Sequence, residues 1–267
     1  MSFEHLTNDQ LARLFTTAVL IGMGILQILR PGCFWGMWMY FSGARAGFSP
    51  EQRERLARVL EARERAEGDT DTYTRIVGAF TIVMAPLGLI SAVPYVLPYA
   101  LSCLAMAAAI LLSYLNFKRA TERRIAPLVR RTAWASLPPL AIVATAVCVL
   151  GAGAFAAFPQ YRAGAVVVIV SAIVLTAIAW RVAVAPALLL GDDPQLEYIV
   201  DEHLRFCRAT SLISLACAPP TVLVALAAAA LPPTEHYYSI VTLAVSAAFL
   251  VAMVLSLNPF RKRISLA

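Results

Sequence analysis

Seven apolar stretches divide this chain, at roughly 14–29, 76–93, 96–115, 133–158, 164–180, 209–231 and 237–257. Most approach the roughly 20 residues that an α-helix needs to cross about 30 Å of hydrocarbon. The first is short unless it runs past Arg30 and Pro31 into residues 33–41. Charge is kept out of these stretches: 60% of residues are hydrophobic and 14% are charged, and the charged ones cluster between the stretches. A sheet or a soluble bundle has no use for such segregation. The expected fold is an all-α polytopic integral membrane protein with seven transmembrane helices.

The connecting segments fix an expected orientation. The side richer in Lys and Arg near the span ends faces the cytoplasm. Only Arg13 precedes the first stretch, whereas the next segment holds Arg30, Arg45, Arg53, Arg55, Arg58, Arg63, Arg65 and Arg75. The following connections alternate between none, many, Arg162 alone, a group of three and none, and the tail ends Arg261-Lys262-Arg263. This pattern puts the N-terminus outside and the C-terminus inside. The formal charge of +6 is accounted for by these arginines facing anionic headgroups, with no nucleic acid partner required. Glu4 and Asp9 before the first stretch argue against a signal peptide, so the first helix is expected to remain as an anchor. Twenty arginines against two lysines suggest a GC-rich bacterial genome, and hence the bacterial inner membrane.

The stretches also repeat. Gly47-Phe48-Ser49-Pro50 and Gly191-Asp192-Asp193-Pro194 each open a polar segment. Arg75 precedes Ala85-Pro86 at the spacing with which Arg208 precedes Ala218-Pro219. Leu112-Ser113-Tyr114-Leu115-Asn116-Phe117-Lys118-Arg119 closes the third stretch, much as Leu255-Ser256-Leu257-Asn258-Pro259-Phe260-Arg261-Lys262 closes the seventh. Repeats of this kind mark transporter folds. They predict a 3+1+3 layout with parallel internal repeats: a three-helix repeat in residues 1–119, a linker and fourth helix in 120–163, and a second repeat in 164–267.

Two amphipathic helices are expected on the cytoplasmic side. Ser49-Pro50-Glu51-Gln52 reads as a capping box with proline in the first turn, and Gly68 as a stop, giving a helix over about 49–67. Its Leu56, Val59 and Leu60 form a narrow stripe, a candidate partner surface. From about 193 to 208, Leu196, Ile199, Val200, His203 and Cys207 share one side, which predicts an interfacial helix and adds Leu196, Ile199 and Val200 to the candidate partner surface. Asp193, Glu197 and Asp201 share another, a solvated acidic face rather than a cation site, because one helical row cannot surround an ion. Trp35, Trp38 and Tyr40 are placed as headgroup anchors, with Arg181 snorkelling at the end of the fifth span.

Catalytic signatures are absent from the sequence. It has no Gly-x-Ser-x-Gly elbow, no His-Glu-x-x-His helix and no phosphate-cradling glycine loop. Five cysteines fit neither a disulfide framework nor a zinc pattern. His5 and His236, each after a glutamate, are the one conceivable pair for a metal or haem, and no cofactor is otherwise implied. No Asp, Glu, Lys or His is expected deep in a span, which disfavours ion-coupled transport. Pro86 and Pro219-Pro220 are read as mid-span and repeat-related, candidate hinges because proline removes a backbone donor and crowds the preceding turn.

Seven helices in parallel repeats, an external N-terminus and repeat-related prolines resemble SWEET-type sugar transporters in topology alone. Asp192-Asp193 with Glu197 is similar to one of the two acidic motifs of membrane prenyltransferases. Three functions follow in order. The first is a non-catalytic membrane scaffold or complex subunit docking a protein partner through its cytoplasmic helices. The second is a proline-hinged facilitator or flippase for a small apolar or amphipathic solute. The third is a membrane enzyme using the Asp192–Asp201 face.

Overall fold

Eight α-helices account for nearly all of residues 7–31, 49–121, 137–185, 189, 193–230 and 236–257, the residues that the computed structural model describes. They are α1 (Asn8–Leu29), α2 (Pro50–Glu67), α3 (Thr70–Met84), α4 (Leu97–Thr121), α5 (Pro139–Phe155), α6 (Pro159–Val184), α7 (Pro194–Ala230) and α8 (His236–Leu257). A 3₁₀ turn, Ala85–Leu89, follows α3, and there is no strand among the described residues. Among the described residues, six segments are long and apolar enough to cross a membrane: Gln10–Leu29, Thr70–Leu89, Leu97–Ala120, Pro159–Val184, Pro194–Ala229 and Ser239–Ser256. The fourth apolar stretch forms α5, of 17 residues. That is about 26 Å at about 1.5 Å per residue, a little short of a full hydrocarbon core.

Outward-facing side chains are apolar along the spans. Phe15, Leu29, Ile76, Val83, Leu150, Ile173, Ile240 and Leu243 are all more than half exposed. Water-soluble monomers rarely carry so much contiguous apolar surface, whereas lipid requires it. The helices interlock through small residues. A side chain at Gly24 would meet the Gly78 carbonyl at 2.7 Å, and one at Gly78 would meet the Gly24 carbonyl at 2.7 Å, so α1 and α3 cross backbone against backbone. Gly151 on α5 likewise receives Val245 of α8. α3 lies against both α1 and α4, and α7 lies against both α6 and α8, with α5 on α7 and α8. A continuous apolar core, rich in Ala, Leu and Val, joins α4 through α8.

Local chemistry sets the helix ends. Thr7 and Ser49 both form reciprocal capping boxes, with Gln10 and Gln52, and Pro50 occupies the first turn of α2. Gly68 stops α2 at φ +85°, the left-handed region in which a Cβ is strained, and Asp69 then caps α3. α7 behaves differently from expectation. Residues 194–208 are not a separate helix but the first part of one helix of 37 residues. Nothing between Leu204 and Thr210 breaks it, since every residue there tolerates helical dihedrals.

Pro86 also departs from the mid-span reading. α3 ends at Met84, and Pro86 is exposed in the 3₁₀ turn that closes the span. Arg13 collects carbonyls presented in and beyond that turn, donating to those of Gly88 at 3.1 Å, Ile90 at 2.8 Å and Val93 at 2.9 Å. Arg13, one of the few arginines at the arginine-poor end, therefore staples α1 to this turn. Pro219 and Pro220 do lie inside α7, and both are buried.

Candidate functional site

Where α2, α4 and α7 meet at the arginine-rich end of the bundle, five charged side chains are buried together: Arg63, Glu67, Asp201, Arg205 and Arg208. Helical spacing assembles them in two steps. Arg63 and Glu67 are one turn apart on α2, and Arg63 Nε donates to Glu67 Oε1 at 2.7 Å. Asp201 and Arg205 are one turn apart on α7, where Arg205 Nη2 reaches Asp201 Oδ2 at 2.5 Å. Two further pairs cross between the helices. Arg63 Nη2 donates to Asp201 Oδ1 at 3.0 Å, and Arg208 Nη2 donates to Glu67 Oε2.

α4 completes the hub from below. Ser113 Oγ donates to Glu67 Oε2 at 3.2 Å, and the Arg63 guanidinium lies 4.2 Å from the centre of the Phe117 ring. Asn116 Nδ2 bonds the Tyr73 hydroxyl at 2.7 Å and lies 3.4 Å from the Glu67 carbonyl. Glu67 is thus the node, with donors from α2, α4 and α7. Burial alone would push its carboxyl up, but the Arg208 and Arg63 guanidiniums outweigh that and hold it down to about 2. Burial would lower Arg63, and the Glu67 and Asp201 carboxylates more than compensate, raising it.

Beside the hub the two apolar stripes meet. Leu56 and Val59, with Leu60 at their edge, pack against Leu196, Val200, Leu204 and Cys207. The side chains expected to form a partner surface therefore cover one another inside the chain, with Ile199 half-buried at the margin. The acidic row of α7 is not a solvated face either. Asp201 is buried in the hub, Glu197 is buried one turn earlier, and Asp193 pairs with Arg55 of α2 at 2.5 Å. For the stripes, Asp193 and Asp201 the cause is the same: α2 lies alongside α7 and supplies the apolar cover and the Arg55 and Arg63 counter-charges.

Other predicted residues are dispersed. Arg181 is exposed in the last turn of α6. Trp35, Trp38, Tyr40 and His5 lie outside the described residues, and His236 opens α8 without a described side-chain environment. Among the described residues, no group of three or more His, Cys, Asp or Glu side chains is placed to hold a metal ion. A charge-free interior was expected, and the hub was missed. A signal for it exists: Glu67 is the last residue before a glycine stop, with an arginine one turn earlier, and Asp201, Arg205 and Arg208 run directly into an apolar span.

A hub of this kind does positional chemistry. Its carboxylates are committed to guanidiniums and to the Ser113 hydroxyl rather than open to substrate. A buried ion network adds little stability relative to an apolar core of the same shape, but removing one partner strands a buried charge. Its effect is to fix where α2 sits on α4 and α7. No protein-family model matches the sequence, and neither a curated protein nor a solved structure shows significant similarity to it.

Proposed function

We propose that the chain is a non-catalytic integral membrane scaffold or complex subunit, with α2 and the first half of α7 forming a docking platform for a protein partner. The platform faces the cytoplasm, as the arginine distribution indicates. In this reading α5 is a seventh, short span, giving the 3+1+3 arrangement with a three-helix repeat on either side. The middle helix of each proposed repeat lies between the other two, α3 between α1 and α4 and α7 between α6 and α8, which supports that layout. The observation that carries the functional reading is the contrast between a core packed with Ala, Leu, Val and Cys side chains and a charged platform clamped onto its end. With the apolar stripe covered, the partner meets the exposed outer face of α2, which bears Arg53, Glu54, Arg58, Glu61, Glu64 and Arg65. Photo-crosslinkers placed at Arg58 and Glu61 in native membranes should yield a discrete protein adduct. One at Ile173 should yield none.

One observation favours the facilitator as a second reading. The hub ties α2 and α4 of the first half to α7 of the second, where a gate between two moving halves would sit. Pro219 and Pro220 would then be the hinge. Solute flux in proteoliposomes that stops on replacing both prolines with alanine, together with no adduct from α2, would exchange the two readings.

A further inference from the structure

The same hub that positions α2 is also built to release it. We infer that α2 is a hinged lid over the first half of α7, held shut by Glu67 and pivoting at Gly68. The inference rests on reading this end as the docking platform, and it names how that platform is regulated. With the lid closed, the Leu56–Val59 stripe and the Leu196–Val200–Leu204 stripe satisfy each other. With it open, the partner first met on the outer face of α2 can lay an amphipathic helix of α2-like spacing on α7 in place of α2.

Three observations converge on a lid. The first is the joint. Gly68 is the one residue with positive φ among the described residues, so α2 and α3 are separate rods and not a bent helix. A Cβ there would also crowd Asn116 Nδ2 and the Tyr73 hydroxyl, each at 3.3 Å, so the joint is fitted to glycine. The second is the small apolar grip of α2, which is confined to Leu56, Val59 and the edge of Leu60. Most of the rest of α2 is charged and turned outward.

The third is the placement of the charges. Both buried ion pairs that cross from α2 to α7 come from the last turn of α2, within five residues of the pivot, through Arg63 and Glu67. A further crossing pair, Arg55 with Asp193, is half exposed. A lid held by apolar packing could be opened only by exposing that packing to water. A lid held by guanidinium–carboxylate pairs can be opened by a competing charged group, because the arginines keep a partner in both states. Protonation is not the trigger near neutral pH, since Arg208 and Arg63 keep Glu67 ionised.

The chain carries its own reporter. Cys207 is half-buried and packs against the stripe beneath the lid, while Cys103, Cys148 and Cys217 are buried in the bundle. The experiment uses the purified full-length chain with Cys33→Ser, reconstituted in vesicles, and follows alkylation by a small maleimide with mass spectrometry. Glu67→Gln keeps the shape of the side chain and removes its charge. It should speed alkylation of Cys207 by about tenfold or more, a factor that corresponds to about 1.4 kcal/mol on the lid equilibrium. Cys103, Cys148 and Cys217 should stay as slow as in the parent.

Equal rates for Cys207 in the parent and Glu67→Gln would overturn the lid. So would a rise at all four cysteines, since Glu67 would then hold the whole bundle and not one helix. Hydrogen–deuterium exchange on the unsubstituted chain gives a test independent of any variant. Residues 50–67 should exchange together and faster than residues 70–84, and exchange of α2 as slow as that of α3 would also overturn the lid. No partner is present in either measurement. A failed lid therefore leaves the docking reading to the crosslinking experiment, and a failed docking reading leaves the motion of α2 standing but removes the partner that it would admit.

Discussion

The two halves of this molecule make opposite use of a polar helix that runs into a span. In the first half the polar helix α2 and the span α3 are cut apart at Gly68, and α2 swings back onto the bundle. In the second half polar segment and span are one helix, Pro194–Ala230. The register that aligns Arg75 with Arg208 and Pro86 with Pro219 sets Gly68 opposite Asp201. At the same point, one half has the residue that ends a helix and the other a carboxylate that sits within one. That carboxylate then becomes a ligand for Arg63 of the severed helix. The broken joint and the continuous rod are two parts of one device, because α2 can lie along α7 only if α7 does not turn away.

The strongest way to break this comparison is to remove the group on which both halves converge. Glu67→Ala strands Arg208 and leaves Arg63 with Asp201 alone, in a site where each is buried. Removing one member of a buried pair costs about 3–5 kcal/mol. Thermal unfolding in detergent should show that loss, and Arg208→Ala should cost a similar amount. The double variant should cost much less than the sum of the two, because the charges left behind by one change are removed by the other. Additive losses would mean that Glu67 and Arg208 do not act on each other.

A pH series tests the same node more gently. The native pKa of Glu67 is depressed, so the stability it contributes is fully present above the ordinary carboxylate range. That contribution fades as pH falls from about 4.3 toward the native value of about 2. Glu67→Gln cannot titrate there. The difference in Tm between the parent and Glu67→Gln should be constant from about pH 5 to pH 8 and should narrow below about pH 4. A gap that closes near neutrality would show that another group controls the hub.

How much of this was legible in the chain depends on the range of the interaction. Helix ends set by two or three neighbouring residues were readable: the Ser49–Gln52 box, the Gly68 stop and the start of α7 at Pro194 follow from local chemistry. Six spans of sufficient length follow from hydropathy alone. Contacts between distant segments were not readable. Leu56, Val59, Asp193 and Asp201 show the same periodicity whether they face water, a partner or another part of the chain. Only the packing of α2 on α7 decides among these. Pro86 was misplaced for a related reason, since proline can either kink a span or end one. The capture of the nearby carbonyls by Arg13, more than seventy residues away, belongs to the second case.

Exchanging the local rules at the joint and in the rod should give effects of intermediate size and opposite sense. Gly68→Ala forces a side chain into the left-handed region and should cost about 1–2 kcal/mol. In α7 the same pair of residue types should rank the other way. Glu202→Gly should be less stable than Glu202→Ala by about 0.5–1 kcal/mol, because glycine loses more backbone freedom inside a helix. Chemical denaturation of the parent and the three variants would check this. If alanine is preferred at both positions, Gly68 is not a required joint and α2 is simply a bent continuation of α3.

The smallest expected effect lies at the far end of α2. Arg55 pairs with Asp193 at 2.5 Å, but half of the Arg55 side chain is exposed. Exposed ion pairs are worth about 0–1 kcal/mol and are screened by salt. Arg55→Ala should therefore lower stability by well under 1 kcal/mol at low ionic strength and by nothing measurable at 1 M salt. The cost of Glu67→Ala, a buried group, should change little over the same range. Both pairs join α2 to α7, so the contrast between them tests burial rather than connectivity. If Arg55→Ala proves as costly as Glu67→Ala and as insensitive to salt, α2 is fixed from its N-terminal end, and the turn beside Gly68 loses its claim to be the point where the two halves are locked.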